Sequence, residues 1–260
     1  MSNDPMRFRT ATAALAGAVF LATSASPGLA GPLDVKGPEI EAGETEISTN
    51  HSFQSGFPPN ADRVRHSFEF AAGYAFSDRF KAGAKLNFDR PIGDDTQLST
   101  AGIEAQVYIG KLGPAICLAW FTGLDMRVHR DETNTLVFGP VVKFGSDALS
   151  LTLNPLFEHT FGRNREDGLA FVYAAGLKTE LREGLAIGIE AHGSIPDIGN
   201  APGVDFQEHR IGPVVYIDRE VIPARGGDGA TKLALEIGAF AGLTDATPDW
   251  TGKIKAALTW

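Results

Sequence analysis

The chain has 260 residues, of which 43% are apolar and 21% charged, with a formal net charge of −9. That balance excludes a disordered chain, and its sign argues against a nucleic-acid binder. The single cysteine excludes an internal disulfide framework and a multi-cysteine metal site.

Residues 1–30 read as a secretory signal peptide. Arg7 and Arg9 supply a positive start, and Ala11 to Ala22 form an apolar stretch too short to span a bilayer as a helix. Gly28-Leu29-Ala30 is a small-x-small cleavage site, and Thr23-Ser24-Ala25 is an alternative one. An uncleaved anchor is the competing reading, and the shortness of the apolar stretch weighs against it. Removal of residues 1–30 leaves 21 basic and 31 acidic side chains. The remaining 31–260 read as one domain, as closed β-barrels of this length usually are. No later stretch approaches about 18 consecutive apolar residues, so no helical span follows.

From Gly43 onward the chain alternates with period two. A first strand is expected near Gly43–Phe53. In the next, Phe68, Phe70, Ala72, Tyr74 and Phe76 share one face, with Ser67, Glu69, Ala71, Gly73 and Ala75 on the other. Ser77-Asp78-Arg79 then turns the chain tightly into Phe80, Ala82, Ala84, Leu86 and Phe88, which alternate with Lys81, Lys85 and Asp89. Helical spacing of three and four is missing from these runs. The pattern recurs through Ile103–Ile109, Ile116–Met126, Leu136–Phe144, Leu149–Phe157, Leu169–Leu177, Leu185–Ile189, Ile211–Ile217, Leu233–Ala239 and Trp250–Trp260. That makes about twelve strands, an even number as expected of single-chain bacterial barrels. Short turns at Ser77–Arg79, Lys111–Gly113, Ser146–Ala148 and Arg182–Gly184 alternate with longer loops, chiefly Gln54–Val64 and Ile195–Asp205. Asp218–Ala230, with Pro223 and Gly226-Gly227, breaks this rule: it is either a long connection on the short-turn side or a sign that the strand register there departs from this reading.

A soluble sandwich also alternates, but three features favour lipid. Aromatic residues mark strand ends: Phe68 with Phe76, Phe80 with Phe88, Trp250 with Trp260. An eight-residue step spans about 26 Å along a strand and about 20 Å after tilt, near the roughly 25 Å apolar band of membrane barrels. The opposite face is rich in charge, as a wet lumen requires. Finally, the chain ends on Trp260, preceded by Leu258, Ile254 and Trp250 at alternating positions.

Together these predict an all-β, up-and-down antiparallel transmembrane β-barrel. The last strand resembles the C-terminal signal that barrel-assembly machinery reads, with Trp260 where Phe is usual. Four stretches carry a wider resemblance: Gly43–Ser48 (GETEIS), HSFEFAAGYAFSDRFKAGAKL from His66, LTLNPLFEHTFG from Leu151, and GLTDATPDWTGKIKAALTW at the end. They resemble a family of proteobacterial outer-membrane barrels carrying a phenol meta-pathway or transporter-like label. The resemblance implies an outer-membrane location and offers no catalytic residues.

The residues expected to line the lumen are Glu69, Lys81, Lys85, Glu104, Asp125, Arg127, Lys143, Lys178, Glu190, Glu236, Lys253 and Lys255. Folding the last hairpin about Asp245 sets Glu236 opposite Lys255, and folding about Glu183 sets Lys178 diagonal to Glu190. Catalysis is not expected. His159 faces outward with no serine on the neighbouring strands, and His192 faces inward. The six histidines show no paired metal-ligand spacing, and no cofactor is expected. Gly226-Gly227-Asp228-Gly229 reads as a turn, and Cys117 as inert packing. The expected partners are membrane lipids, the assembly machinery and an unidentified small solute. The expected function is a narrow passive channel. The alternatives are a plugged structural or surface-interaction barrel and, behind it, a lipid-modifying enzyme.

Overall fold

The computed structural model describes residues 33–56, 64–91, 93–128, 133–146, 148–222 and 230–260. The signal-peptide reading of residues 1–30 and the glycines Gly226, Gly227 and Gly229 lie outside them. Twelve strands run in chain order: β1 (Thr45–Ser55), β2 (Val64–Ser77), β3 (Phe80–Pro91), β4 (Gln97–Lys111), β5 (Ile116–Arg127) and β6 (Asn134–Gly145). They continue with β7 (Leu149–Phe161), β8 (Ala170–Arg182), β9 (Leu185–Ile195), β10 (Glu208–Ile222), β11 (Thr231–Gly242) and β12 (Trp250–Thr259). Each pairs antiparallel with its sequence neighbours, and β1 pairs with β12, so the sheet closes into a barrel. Closure leaves no open edge, which a lipid-exposed sheet could not tolerate.

The sheet is inside out relative to a soluble protein. Ile103 is 60% exposed and Trp120 41%, while Ser52 and Lys253 are 0% exposed. Apolar outward faces on nearly every strand form the surface that lipid would cover, and the polar alternates turn inward. This inversion separates the barrel from a sandwich, whose apolar face would be the buried one.

The connections follow the expected long and short alternation, with one correction. β10 continues to Ile222 and β11 begins at Thr231, so the expected long connection Asp218–Ala230 shrinks to 223–230. The strands persist because the ladder continues past the apolar band: Glu220 stands opposite Lys232, and the register shifts only between Glu220 and Ile222. The last hairpin has the expected register, with Glu236 opposite Lys255. The end of the chain seals the barrel through two backbone hydrogen bonds. Trp260 N–H donates to the Thr45 carbonyl at 3.1 Å, and Thr45 N–H donates to the Trp260 carbonyl at 2.9 Å.

Candidate functional site

Alternation puts the charged residues of the strands into the lumen, where they meet in groups. Lys85 on β3 lies 3.6 Å from Glu69 on β2 and 3.1 Å from Asp125 on β5. Lys253 on β12 contacts Glu236 at 2.6 Å and Glu190 at 3.0 Å. Glu190 also accepts from the Tyr216 hydroxyl at 2.8 Å and is 2.9 Å from His192. Glu190 and Lys253 have no solvent contact, so this group braces the wall from inside and offers no surface to a solute. A buried pair that keeps both partners and satisfies its remaining hydrogen bonds is tolerable, while one left half-made is costly. Lys178, set diagonal to Glu190, pairs with Asp218 on β10 at 3.8 Å and lies over the Tyr216 ring. It misses Glu190 because Lys253, Tyr216 and His192 already engage that carboxylate. Arg127 uses its backbone N–H to bond Asn134 across the β5–β6 loop. Trp260 is about half exposed, at the seam.

The element that the sequence did not announce is the segment 33–42, which enters the lumen before β1. Leu33 is buried in a cluster with Ala186, Val214, Tyr216 and Phe240, and its carbonyl accepts from Asn50 at 2.9 Å. Asp34 pairs with Lys255 at 2.7 Å. Lys36 reaches Glu104 at 3.3 Å and lies 4.7 Å from the centre of the Phe121 ring. Asn154 on β7 clamps the backbone of Lys36 from both sides, accepting from its N–H at 2.7 Å and donating to its carbonyl at 2.9 Å. Gln106 donates to the Gly37 carbonyl, Lys143 pairs with Glu39 at 2.7 Å, and Ala42 N–H bonds Asp78 in the β2–β3 turn. Burial opposes the charge on Asp34, yet Lys255 and Lys36 hold its carboxyl well below the usual carboxylate range. Lys36 is likewise desolvated, and Glu104 and Asp34 more than restore its ammonium, raising its pKa.

The segment divides the lumen unequally. On one side it packs against β7–β11, with Val35 beside Gly176 and Leu33 beside Tyr216. On the other it leaves a cavity of about 170 Å³ against β1–β4, lined among others by Glu46, Ser48, Glu69, Lys81 and Gln106. Of the twelve residues expected to line the lumen, Glu69, Lys81, Glu104 and Lys255 border this cavity.

On the outer face, the ring of Tyr173 on β8 crosses Gly193 on β9 to reach His209 on β10, with its hydroxyl 3.0 Å from Nδ1. His209 Nε2 is 3.1 Å from the side-chain Oε1 of Gln207. His51 and His66 stack between Phe53 and Phe68, with Nδ1 of His51 3.1 Å from Nε2 of His66. The Tyr173–His209 contact spans three strands and the His51–His66 contact joins two neighbours, and period-two reading could not pair them because it ranks faces, not partners. Among the described residues, no group of three or more histidine, cysteine or acidic side chains is arranged to hold a metal ion.

A closed twelve-stranded barrel, apolar outside and charged within, defines the architecture of an outer-membrane-type β-barrel. Solved structures share it. An outer membrane channel from Pseudomonas putida F1, described as COG4313, superposes with a TM-score of 0.63 at 11% identity, covering 88% of this chain and 100% of that one. The NanC porin gives 0.52 at 7% identity, covering 82% and 98%. The KdgM porin in complex with disordered oligogalacturonate gives 0.50 at 12% identity, covering 83% and 98%. No protein-family model and no curated protein matches the sequence.

Proposed function

We propose that the protein is a narrow outer-membrane channel for small solutes, whose bore is set by the segment 33–42. One observation carries this reading: the segment fills part of a charged lumen and leaves open space along β1–β4. A barrel built only to be filled would close that side as tightly as it closes the side around Leu33. The phenol meta-pathway label suggested by the sequence finds no support in the cavity, where charged groups are prominent. The structural neighbours named as porins or channels agree with passage of solutes and do not identify one.

A second reading draws on the same segment. Its ion pairs hold it firmly enough to plug the barrel, leaving the outer loops to meet partners. Val204 and Phe206 in the β9–β10 loop are 61% and 73% exposed, as a contact surface would be. Planar-bilayer recordings of the full chain and of a variant lacking residues 33–40 separate the two. The channel reading expects small unitary currents from the full chain and several-fold larger ones from the deletion. Silence from both, with insertion verified, rejects it.

A further inference from the structure

The cavity beside the lumen segment has about 170 Å³ of free volume, roughly ten times what a single water needs. It exists because the wall there is built from small residues. The inward positions of β2 are Ala71, Gly73 and Ala75, and Gly83 faces them on β3. Gly83 is required by the sheet, since a methyl there would stand 2.6 Å from the Ala72 carbonyl oxygen. Gly73 is not: a methyl would meet nothing closer than 3.6 Å. Packing therefore does not demand glycine at 73, and its effect is to keep the cavity open.

The charges around this space divide into two groups. Asp34, Lys36, Glu69, Glu104 and Lys255 are engaged with one another or with Lys85. Lys81, Glu44 and Glu46 border the same cavity, half-buried, and none of the three forms an ion pair with any described residue. Each has lost water in the barrel and is offset only by longer-range attraction, of Lys81 to Glu44 and Glu46 and of Glu46 to Lys255, an arrangement that leaves room for counter-charges supplied from outside. Burial, with Glu41 and Glu46 nearby, raises the pKa of Glu44, so a cation placed there would be welcome. A simple anion would satisfy Lys81 but face two carboxylates. A simple cation would satisfy the carboxylates and leave Lys81 unmatched.

We infer that the cavity bordered by Lys81, Glu44 and Glu46 binds a small zwitterion, a molecule of amino-acid size carrying one ammonium and one carboxylate. Lys81 takes the carboxylate, Glu44 and Glu46 take the ammonium, and Gly73 provides the room. This deepens the channel reading by naming a solute class, and passage of the ligand rests on that reading whereas binding does not.

The test uses the purified full chain in detergent and isothermal titration with α-alanine and 4-aminobutanoate, which differ in charge separation. Acetate and methylammonium carry one charge each and serve as controls. The expected result is that at least one zwitterion binds and that neither control binds at the same concentration. Lys81→Met should weaken binding about tenfold, the loss of one charge-assisted contact, and Gly73→Leu should abolish it. Both variants should retain the shift in electrophoretic mobility on boiling that marks a folded barrel. If Gly73→Leu fails to fold, Lys81→Met alone decides. The proposal is overturned if neither zwitterion binds, if acetate binds as tightly, or if Lys81→Met leaves the affinity unchanged. Conductance is measured separately. Zwitterion binding by a barrel silent in bilayers would keep the site and remove the channel, and current without binding would do the reverse.

Discussion

At the scale of residues, the lumen is a set of charges with different degrees of commitment. Lys253 and Glu190 are sealed, and their neighbours His192, Tyr216 and Glu236 complete the group. Removing one member strands the others in a place without water. Lys253→Met should therefore destabilise the barrel by about 3–5 kcal/mol, the cost of an uncompensated buried charge. Tyr216→Phe, which removes one hydrogen bond to a carboxylate, should cost about 1.5–3 kcal/mol. Urea unfolding in detergent or lipid, followed by tryptophan fluorescence, checks both. Equal midpoints for the wild type and Lys253→Met would show that the group carries no structural weight. This network was half legible. Alternation placed Glu190, His192, Glu236 and Lys253 on the inward face, and the hairpin register matched Glu236 with Lys255. Nothing local could show that Lys253 would reach across to Glu190, because that contact joins β12 to β9 through the interior.

At the scale of elements, the strands were readable because water and lipid impose opposite demands on alternate residues. Runs such as Phe68–Phe76 and Phe80–Phe88 carry both the face and, through Ser77–Arg79, the hairpin. The overlong β10–β11 connection was misjudged because Arg219 and Glu220 look like turn residues, although they continue the ladder at the rim. The lumen segment was missed for a different reason. Its contacts at Glu104, Asn154 and Lys255 reach residues 68 to 221 positions away. The one local hint is Leu33-Asp34-Val35-Lys36, a brief alternation of apolar and charged residues ahead of the first strand. Two element-level predictions follow from close contacts. Gly193→Ala would drive a methyl to 2.4 Å from the Tyr173 ring and break the tie between β8 and β10. It should lower the temperature at which the barrel loses its compact electrophoretic form, and an unchanged temperature would contradict it. Deleting Trp260 removes the two backbone hydrogen bonds that finish the β1–β12 seam and should reduce the amount of protein recovered in the outer-membrane fraction. Undiminished abundance of the truncated chain would show that the seam and the assembly signal do not need it.

At the scale of the whole molecule, the barrel and its segment form one device. The wall supplies closure and charge, and the segment decides how much of the interior remains open. Ion pairs, the clamp from Asn154 and the burial of Leu33 hold it in place. The central claim is that its position sets the bore. Val35 lies against Gly176, where a Cβ would stand 3.3 Å from Val35 Cγ1, close enough for a disulfide once both are cysteine. The decisive measurement is single-channel conductance of a Val35→Cys, Gly176→Cys protein in which Cys117 is replaced by serine, oxidised to lock the segment, beside that of the chain lacking residues 33–40. The locked protein should conduct at the low level of the unmodified chain, and the deletion should conduct several-fold more. Equal conductance of the locked and the deleted protein would contradict the segment as the determinant of the bore, and silence in both would contradict the channel itself.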